Sequence, residues 1–411
     1  MLTKVALVAV TLALMGGCAT NPKSAEPAGG SPAAWAAIAE GAPVRVAVFT
    51  GNGARSCGMF RWLQLMELSP DVRMTPVDGE TIRAGALRDA DLLVVPGGRA
   101  TLEAINLQTN GLEEVRAFVH RGGSYIGTCA GCFLIMQYAR GKFLSPLIPY
   151  MFWRNGDDPK AEIGPYLRSG IRPIAFNDRA KELIGIGGIR KIGYYGGPVM
   201  RPTGEAIADG SFEVLANYTP NEKQRTAKGV KLEDCAACVA GRYGKGRVVA
   251  FAVHPEMEPE TVDIVQGAFR YLTGRNIRMV EPEQGGERLK VGLYVGQSLG
   301  PATAAWAAGL LHEPKLAITP LSTDAIAEGK LRPQQVLVVP DVPPADVAPY
   351  THWQKKGVKT VADFLARGGR VITWGDVAKM KAFRTPNERL TVARDAASAL
   401  KVLREMKERV K

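Results

Sequence analysis

From Val44 onward the chain alternates short apolar runs with amphipathic ones. "VRVAVFT" (44–50) is apolar and β-branched, the pattern of a core strand. "GMFRWLQLMEL" (58–68) carries its apolar residues at helical spacing, and "ADLLVVPGG" (90–98) reads as a buried strand ending in a glycine turn. "LEEVRAFVHRGG" (112–123) predicts an amphipathic helix stopped by glycine, and "SYIGT" follows as another strand. Strands alternating with helices predict a three-layer α/β domain, a parallel sheet covered on both faces. Ligands of such sheets sit at the carboxyl ends of the strands. The turns at Gly97–Gly98 and Gly127–Gly131 both fall there.

The pattern then recurs. "LKVGLYVG" (289–296) parallels "VRVAVFTG" (44–51), and "QQVLVVPDV" (334–342) parallels "ADLLVVPGG". "TVADFLARGGRVITWGD" (360–376) parallels "EEVRAFVHRGGSYIGTCAG". A smaller, degenerate α/β repeat is therefore expected over 288–380, after a main domain over 44–275. The repeat has no cysteine after its strand, and Asp341–Val342 replaces the double glycine. Thr385 as N-cap, Pro386 and Glu388 predict a closing helix over 385–411.

The N-terminus has a different character. Lys4 precedes an apolar run from Val5 to Met15, too short to span a bilayer, which predicts a signal peptide over 1–17. "LMGGC" resembles a bacterial lipoprotein processing site, which implies lipidation of Cys18; cleavage without lipidation is the alternative. Residues 18–43, rich in Ala, Pro, Gly and Ser, suit a flexible tether. The expected location is the cell envelope, with a membrane contact made through the lipid.

Composition changes this picture little: 46 % hydrophobic and 22 % charged residues are ordinary for a globular protein. The formal charge of +12 is spread along the chain, without the basic runs and interleaved aromatics of a nucleic-acid surface. No nucleic-acid partner and no cofactor are expected. Export makes disulfides possible, and both Cys129–Cys132 and Cys235–Cys238 are C-x-x-C pairs. A structural disulfide between Cys235 and Cys238, a redox role for Cys129 and Cys132, and a four-thiolate zinc site are all open at this point, although the gap between the two pairs is long for zinc.

The chemistry concentrates at Cys129. Gly127-Thr128-Cys129-Ala130-Gly131 has the form of a nucleophile elbow, a strand turning sharply into a helix. A cysteine nucleophile acts as its thiolate and needs a basic partner. Of the four histidines, His254 ends a β-rich run as His-Pro-Glu, so Glu256 is placed to orient its ring. A buried core thiol is the plainer alternative for Cys129.

"GTCAG" followed about 125 residues later by "HPE" resembles the class I glutamine amidotransferase domains. "VVPGG", "FVHRGGSYIGTCAG" and "GYYGGP" (193–198) resemble, more narrowly, the N-terminal domain of biotin–protein ligases and its stand-alone bacterial forms. The resemblance covers roughly 44–274 and implies a flavodoxin-like sheet. It also implies a Cys129–His254–Glu256 triad and an oxyanion hole from the backbone N–H groups of Ala130 and of Gly98 or Gly97. Tyr194, Tyr195, Gly196 and Gly197 become a pocket wall or, equally, a structural glycine turn. Nothing resembles the catalytic biotin ligase domain. The expectation is hydrolysis of an amide or related acyl bond in a small or peptide-like substrate; the alternative is a silent binding or scaffolding lipoprotein using the same pocket.

Overall fold

The computed structural model describes residues 41–136, 147–152, 169–202, 210–220, 232–282, 286–296, 298–341, 357–384 and 386–409. Cys18, the segments before residue 41 predicted to be signal and tether, and Thr385 lie outside them.

The apolar runs become strands β1 (Val44–Phe49), β2 (Val72–Val77), β3 (Leu92–Val95) and β4 (Ser124–Thr128). Helices α1 (Ser56–Glu67), α2 (Gly79–Arg83) and α3 (Ala100–Arg121) connect them. Every residue of β3 and β4 is buried, as a strand covered on both faces requires. Helix α3 starts well before the predicted 112–123 span and kinks at Gln108, whose φ is 59°. Next come α4 (Ala130–Leu134), β5 (Tyr150–Phe152), β6 (Gly170–Phe176), α5 (Asp178–Ile184), β7 (Gly188–Tyr194), β8 (Met200–Pro202) and β9 (Gly210–Tyr218). The domain closes with β10 (Ala236–Tyr243), β11 (Gly246–Phe251) and α6 (Val262–Thr273).

Strands β2-β1-β3-β4-β11 lie in that order and pair in parallel, the flavodoxin-like arrangement. The same sheet continues antiparallel through β10, β9, β6 and β7, an extension that the strand–helix alternation did not announce. Its origin is the β10–β11 hairpin. Tyr243 pairs with Gly246 around a two-residue loop whose first residue, Gly244, has φ +56°.

A second sheet is built from β12 (Leu289–Tyr294), β13 (Leu316–Leu321), β14 (Val336–Val339), β15 (Arg370–Thr373) and β16 (Leu390–Val392). Its order, β13-β12-β14-β15-β16, is all parallel and repeats that of the first. The registers repeat as well. Val46 pairs with Leu92, Leu92 with Ser124 and Tyr125 with Val248; Val291 pairs with Val336, Val336 with Arg370 and Val371 with Leu390. Side-chain details follow. Asp91 accepts the Arg45 N–H at 2.8 Å, as Gln335 accepts that of Lys290 at 2.8 Å. Gly123 lies under the Phe118 ring and Gly369 under that of Phe364, where a Cβ would collide with the ring.

Helices of the second copy are α7 (Gly300–Gly309), α8 (Thr323–Ala327), α9 (Gly357–Ala366) and α10 (Ala396–Lys407). Helix α10 starts later than the predicted 385, because Leu390–Val392 is taken into the sheet as β16. Asp395 caps it instead, accepting the Ser398 N–H at 2.7 Å. The two copies share one core, and at the carboxyl end of β1 the Thr50 carbonyl accepts from Ser298 Oγ at 2.9 Å and Gly300 N at 3.2 Å.

Candidate active site

Strand β4 delivers Cys129 into a turn with φ 51° and ψ −100°, a conformation costing of order 1–3 kcal/mol in a residue with a Cβ. Its N–H bonds the Phe251 carbonyl at 2.8 Å, tying the elbow to β11. Gly131 must lack a Cβ because the Val95 carbonyl occupies that space. The thiol is 5 % exposed, at the parallel strands' carboxyl edge.

The chain after β11 brings His254 to the same place. Its N–H bonds the Gly193 carbonyl at 2.8 Å, and a Cβ on Gly97 would collide with its Cε1 while lying 3.2 Å from Cys129 Cβ. Cys129, His254 and Gly97 thus pack around one point. His254 Nδ1 meets Glu256 Oε1 at 2.8 Å, with both side chains buried. Nε2 makes no hydrogen bond of normal geometry, yet the neighbouring Cys129 thiol acts on the ring. Burial opposes the imidazolium, but the Glu256 carboxylate and Cys129 outweigh it and lift His254 to about 10.

Residues 44–140 match the family model described as biotin–protein ligase, N terminal. This segment is similar to the N-terminal domain of biotin–protein ligases. The biotin–protein ligase of Schizosaccharomyces pombe is 26 % identical over 227 residues, 53 % of this chain but only 34 % of the relative's length. Among solved structures, a glutamine amidotransferase is 22 % identical with a TM-score of 0.38, covering 56 % of this chain and 99 % of that one. A ThuA-like protein from Bacteroides uniformis is 12 % identical with a TM-score of 0.40, over 59 % of this chain and 95 % of that one. A glutamine amidotransferase from Thermotoga maritima is 14 % identical with a TM-score of 0.32, over 55 % and 82 %.

Other residues singled out in this biotin–protein ligase N-terminal-like domain divide. Ala130 opens α4, where an N–H has no carbonyl one turn back within the helix. Gly98 faces Ala54 in a bridge that uses the Gly97 C=O and the Arg99 N–H and does not engage the Gly98 N–H. Tyr195, 47 % exposed, sets its ring edge-on to His254 at 5.4 Å. Tyr194 turns the other way: it is buried, donates to the Gly197 carbonyl at 3.0 Å and packs edge-on against Tyr218. Gly196 has φ +95° in an exposed turn, and Gly197 packs under the Ala252 carbonyl, so only Tyr195 of the four stands against the site.

The cysteine pairs are corrected. Cys129, Cys132, Cys235 and Cys238 are all buried, and none of them is in a disulfide. Cys235 and Cys238 run into β10, and three residues along an extended chain span about 10 Å, beyond disulfide reach. Burial pushes the Cys235 thiol up to about 11 and raises those of Cys132 and Cys238. Cys132 faces Met200, with Sγ 3.4 Å from Sδ. Among the described residues no cluster could hold a metal ion, and no helix is long and apolar enough to cross a membrane.

Sequence reasoning missed four residues. Thr128 donates to Glu256 Oε1 at 3.2 Å and accepts from Trp62 Nε1 at 3.3 Å. Arg61 Nε donates to the Glu256 carbonyl at 2.9 Å, and its guanidinium also pairs with Glu281. Glu103, in the first turn of α3, is fully buried with neither carboxyl oxygen hydrogen-bonded. The sequence held no signal for these contacts, because each joins elements far apart in the chain.

The register aligns the second copy to this site residue by residue. Gly375 stands at the place of Cys129, Asp341 at Gly97, Asp376 at Ala130 and Trp374 at Thr128, and the three residues between β16 and α10, Ala393-Arg394-Asp395, carry no histidine. Gly375 keeps the elbow's positive φ, +69°. A Cβ on it would overlap the Asp341 carboxyl, which fills the cysteine's space, and Asp341 Oδ1 accepts the Asp376 N–H at 3.0 Å.

Proposed function

We propose that Cys129 is a nucleophile served by His254 and Glu256, and that it hydrolyses an amide or related acyl bond through a thioester. The observation that carries this reading is a strained elbow cysteine facing a buried His–Glu pair. The second copy sharpens it. Where the partners are gone, the elbow residue is glycine, which relieves the strain; where they are present, a cysteine is kept in spite of it.

In the proposed reaction Cys129 Sγ adds to the carbonyl carbon of the substrate. Charge on the carbonyl oxygen is met by the N–H of Ala130 and that of Gly98 or Gly97. The Asp376–Asp341 contact supports this, because there the N–H equivalent to that of Ala130 already holds an anionic oxygen. Collapse expels the amine, which takes the proton of His254, and water then releases the acid from the thioester. Tyr195 stands at the mouth against the substrate. Export and lipid anchoring at Cys18 belong to the same proposal, with the envelope as the place of action.

The test is alkylation of the reduced protein by iodoacetamide, with peptide mapping. Cys129 should react faster than Cys132, Cys235 and Cys238, and His254→Gln should slow it about tenfold or more. Equal, slow labelling unaffected by His254→Gln refutes the nucleophile and leaves a binding pocket without turnover.

A further inference from the structure

The hydroxyl of Thr128 has a fixed direction. Trp62 Nε1 can only donate, so at 3.3 Å it occupies a lone pair of Thr128 Oγ1. The single Thr128 proton is then free to go to Glu256 Oε1 at 3.2 Å, on the oxygen that His254 Nδ1 also meets at 2.8 Å. Trp62, Thr128 and Glu256 are each fully buried, so water does not compete for these bonds. Two donors on one oxygen pin the carboxylate's rotation, and a pinned carboxylate fixes the His254 ring through Nδ1, turning Nε2 toward Cys129.

The second copy supplies an internal comparison. Its counterpart of Thr128 is Trp374, which cannot accept a hydrogen bond and stacks edge-on with Trp306 at 4.8 Å. There the chain passes from β16 to α10 through Ala393-Arg394-Asp395, with no His-Pro-Glu turn. The Thr128 hydroxyl and the His-Pro-Glu turn are present together in one copy and absent together in the other.

We infer that Thr128, with Trp62 behind it, is a positioning residue that sets the Glu256 carboxylate and, through it, the orientation of the His254 ring. This rests on the proposed pairing of Cys129 with His254. The experiment compares Thr128→Val, which keeps the shape and loses the hydroxyl, with Thr128→Ser, which keeps the hydroxyl. Two readouts are taken on the full chain: the low-field proton resonance of the His254 Nδ1–H bonded to Glu256, and the iodoacetamide rate at Cys129.

Thr128→Ser should keep the resonance and react within about twofold of the native rate, whereas Thr128→Val should lose or move the resonance and slow about tenfold. Trp62→Phe, which removes the N–H together with part of the buried ring system, should move the resonance in the same sense and serves if Thr128→Val does not fold. The inference is overturned if Thr128→Val keeps the native resonance, or if the valine and serine variants lose it equally. The resonance reports the Thr128–Glu256–His254 chain whether or not Cys129 reacts. An unreactive native cysteine would therefore refute the proposed function and leave this inference to be decided by the resonance.

Discussion

Glu103 offers a test of the site's electrostatics that needs no substrate. Its carboxyl is fully buried, neither oxygen has a partner, and burial followed by the electrostatic influence of Cys129 raises it well above its ordinary 4.5. Below pH 4.5 folded and unfolded chains both carry the proton, and Glu103 adds no pH dependence. As pH rises above that value the unfolded chain releases the proton while the folded chain retains it. Stability then falls by about 1.4 kcal/mol per pH unit, until the folded carboxyl itself ionises.

Glu103→Gln keeps the shape and removes the titration. Its amide has donors of its own to satisfy, but that cost does not change with pH and enters as a constant offset. Urea unfolding of both proteins at pH 4.5, 5.5, 6.5 and 7.5 (about one unit per step) isolates the effect in the difference between the two curves. The variant should gain on the native protein by about 1.4 kcal/mol per unit over the lower part of this range. Parallel curves, or a native protein that gains on the variant with rising pH, would refute a buried neutral carboxyl beside Cys129.

Other expectations follow from the same geometry. His254, raised from 6.5 to about 10, contributes stability that is fully present below pH 6.5 and lost as pH rises through about 10, so an NMR titration of its ring should show a midpoint far above an ordinary histidine. Cys129→Gly should leave stability unchanged or raise it by up to about 2 kcal/mol in urea melts, because relief of the positive φ offsets the lost thiol contacts. Asp341→Gly should lower the melting temperature by freeing the Asp376 N–H, and formate or acetate at millimolar concentration should restore part of the loss. Glu313, held down to about 2 by Arg404 and Lys407, anchors α10; Glu313→Gln should speed amide hydrogen exchange in that helix at neutral pH.

What could be read from the chain, and what could not, separates along a physical line. Strands β1, β3 and β4 carry their burial in their own composition, so their positions and the edge where they end were legible. The elbow was legible because Gly127 and Gly131 answer to local sterics, and the His254–Glu256 pair because its members are two residues apart. The antiparallel strands were not, since β6 and β7 alternate exposed and buried positions too weakly to stand out, and only the Gly244 turn marks the hairpin. The predicted start of the last helix failed for a related reason. "TPNERL" satisfies the local rules for a helix N-terminus, but pairing of Leu390 with Val371 takes that stretch into the sheet.

The second copy explains why chemistry was easier to read than its support. Duplication kept the pairings that build an elbow: the registers, the ring-covered glycine and the positive φ. It did not keep the groups that only a reaction would need. Asp341 shows what the fold does with an elbow it no longer uses: the thiol's space is filled and the N–H is satisfied from within. In the first copy Gly97 leaves that space to Cys129 and His254, whose Nε2 is buried with no hydrogen bond of its own. Burying an imidazole is unfavourable, and the second copy builds the same elbow without one. The arrangement at Cys129 is therefore not something the fold requires, and the reaction proposed for it gives a reason for its being there.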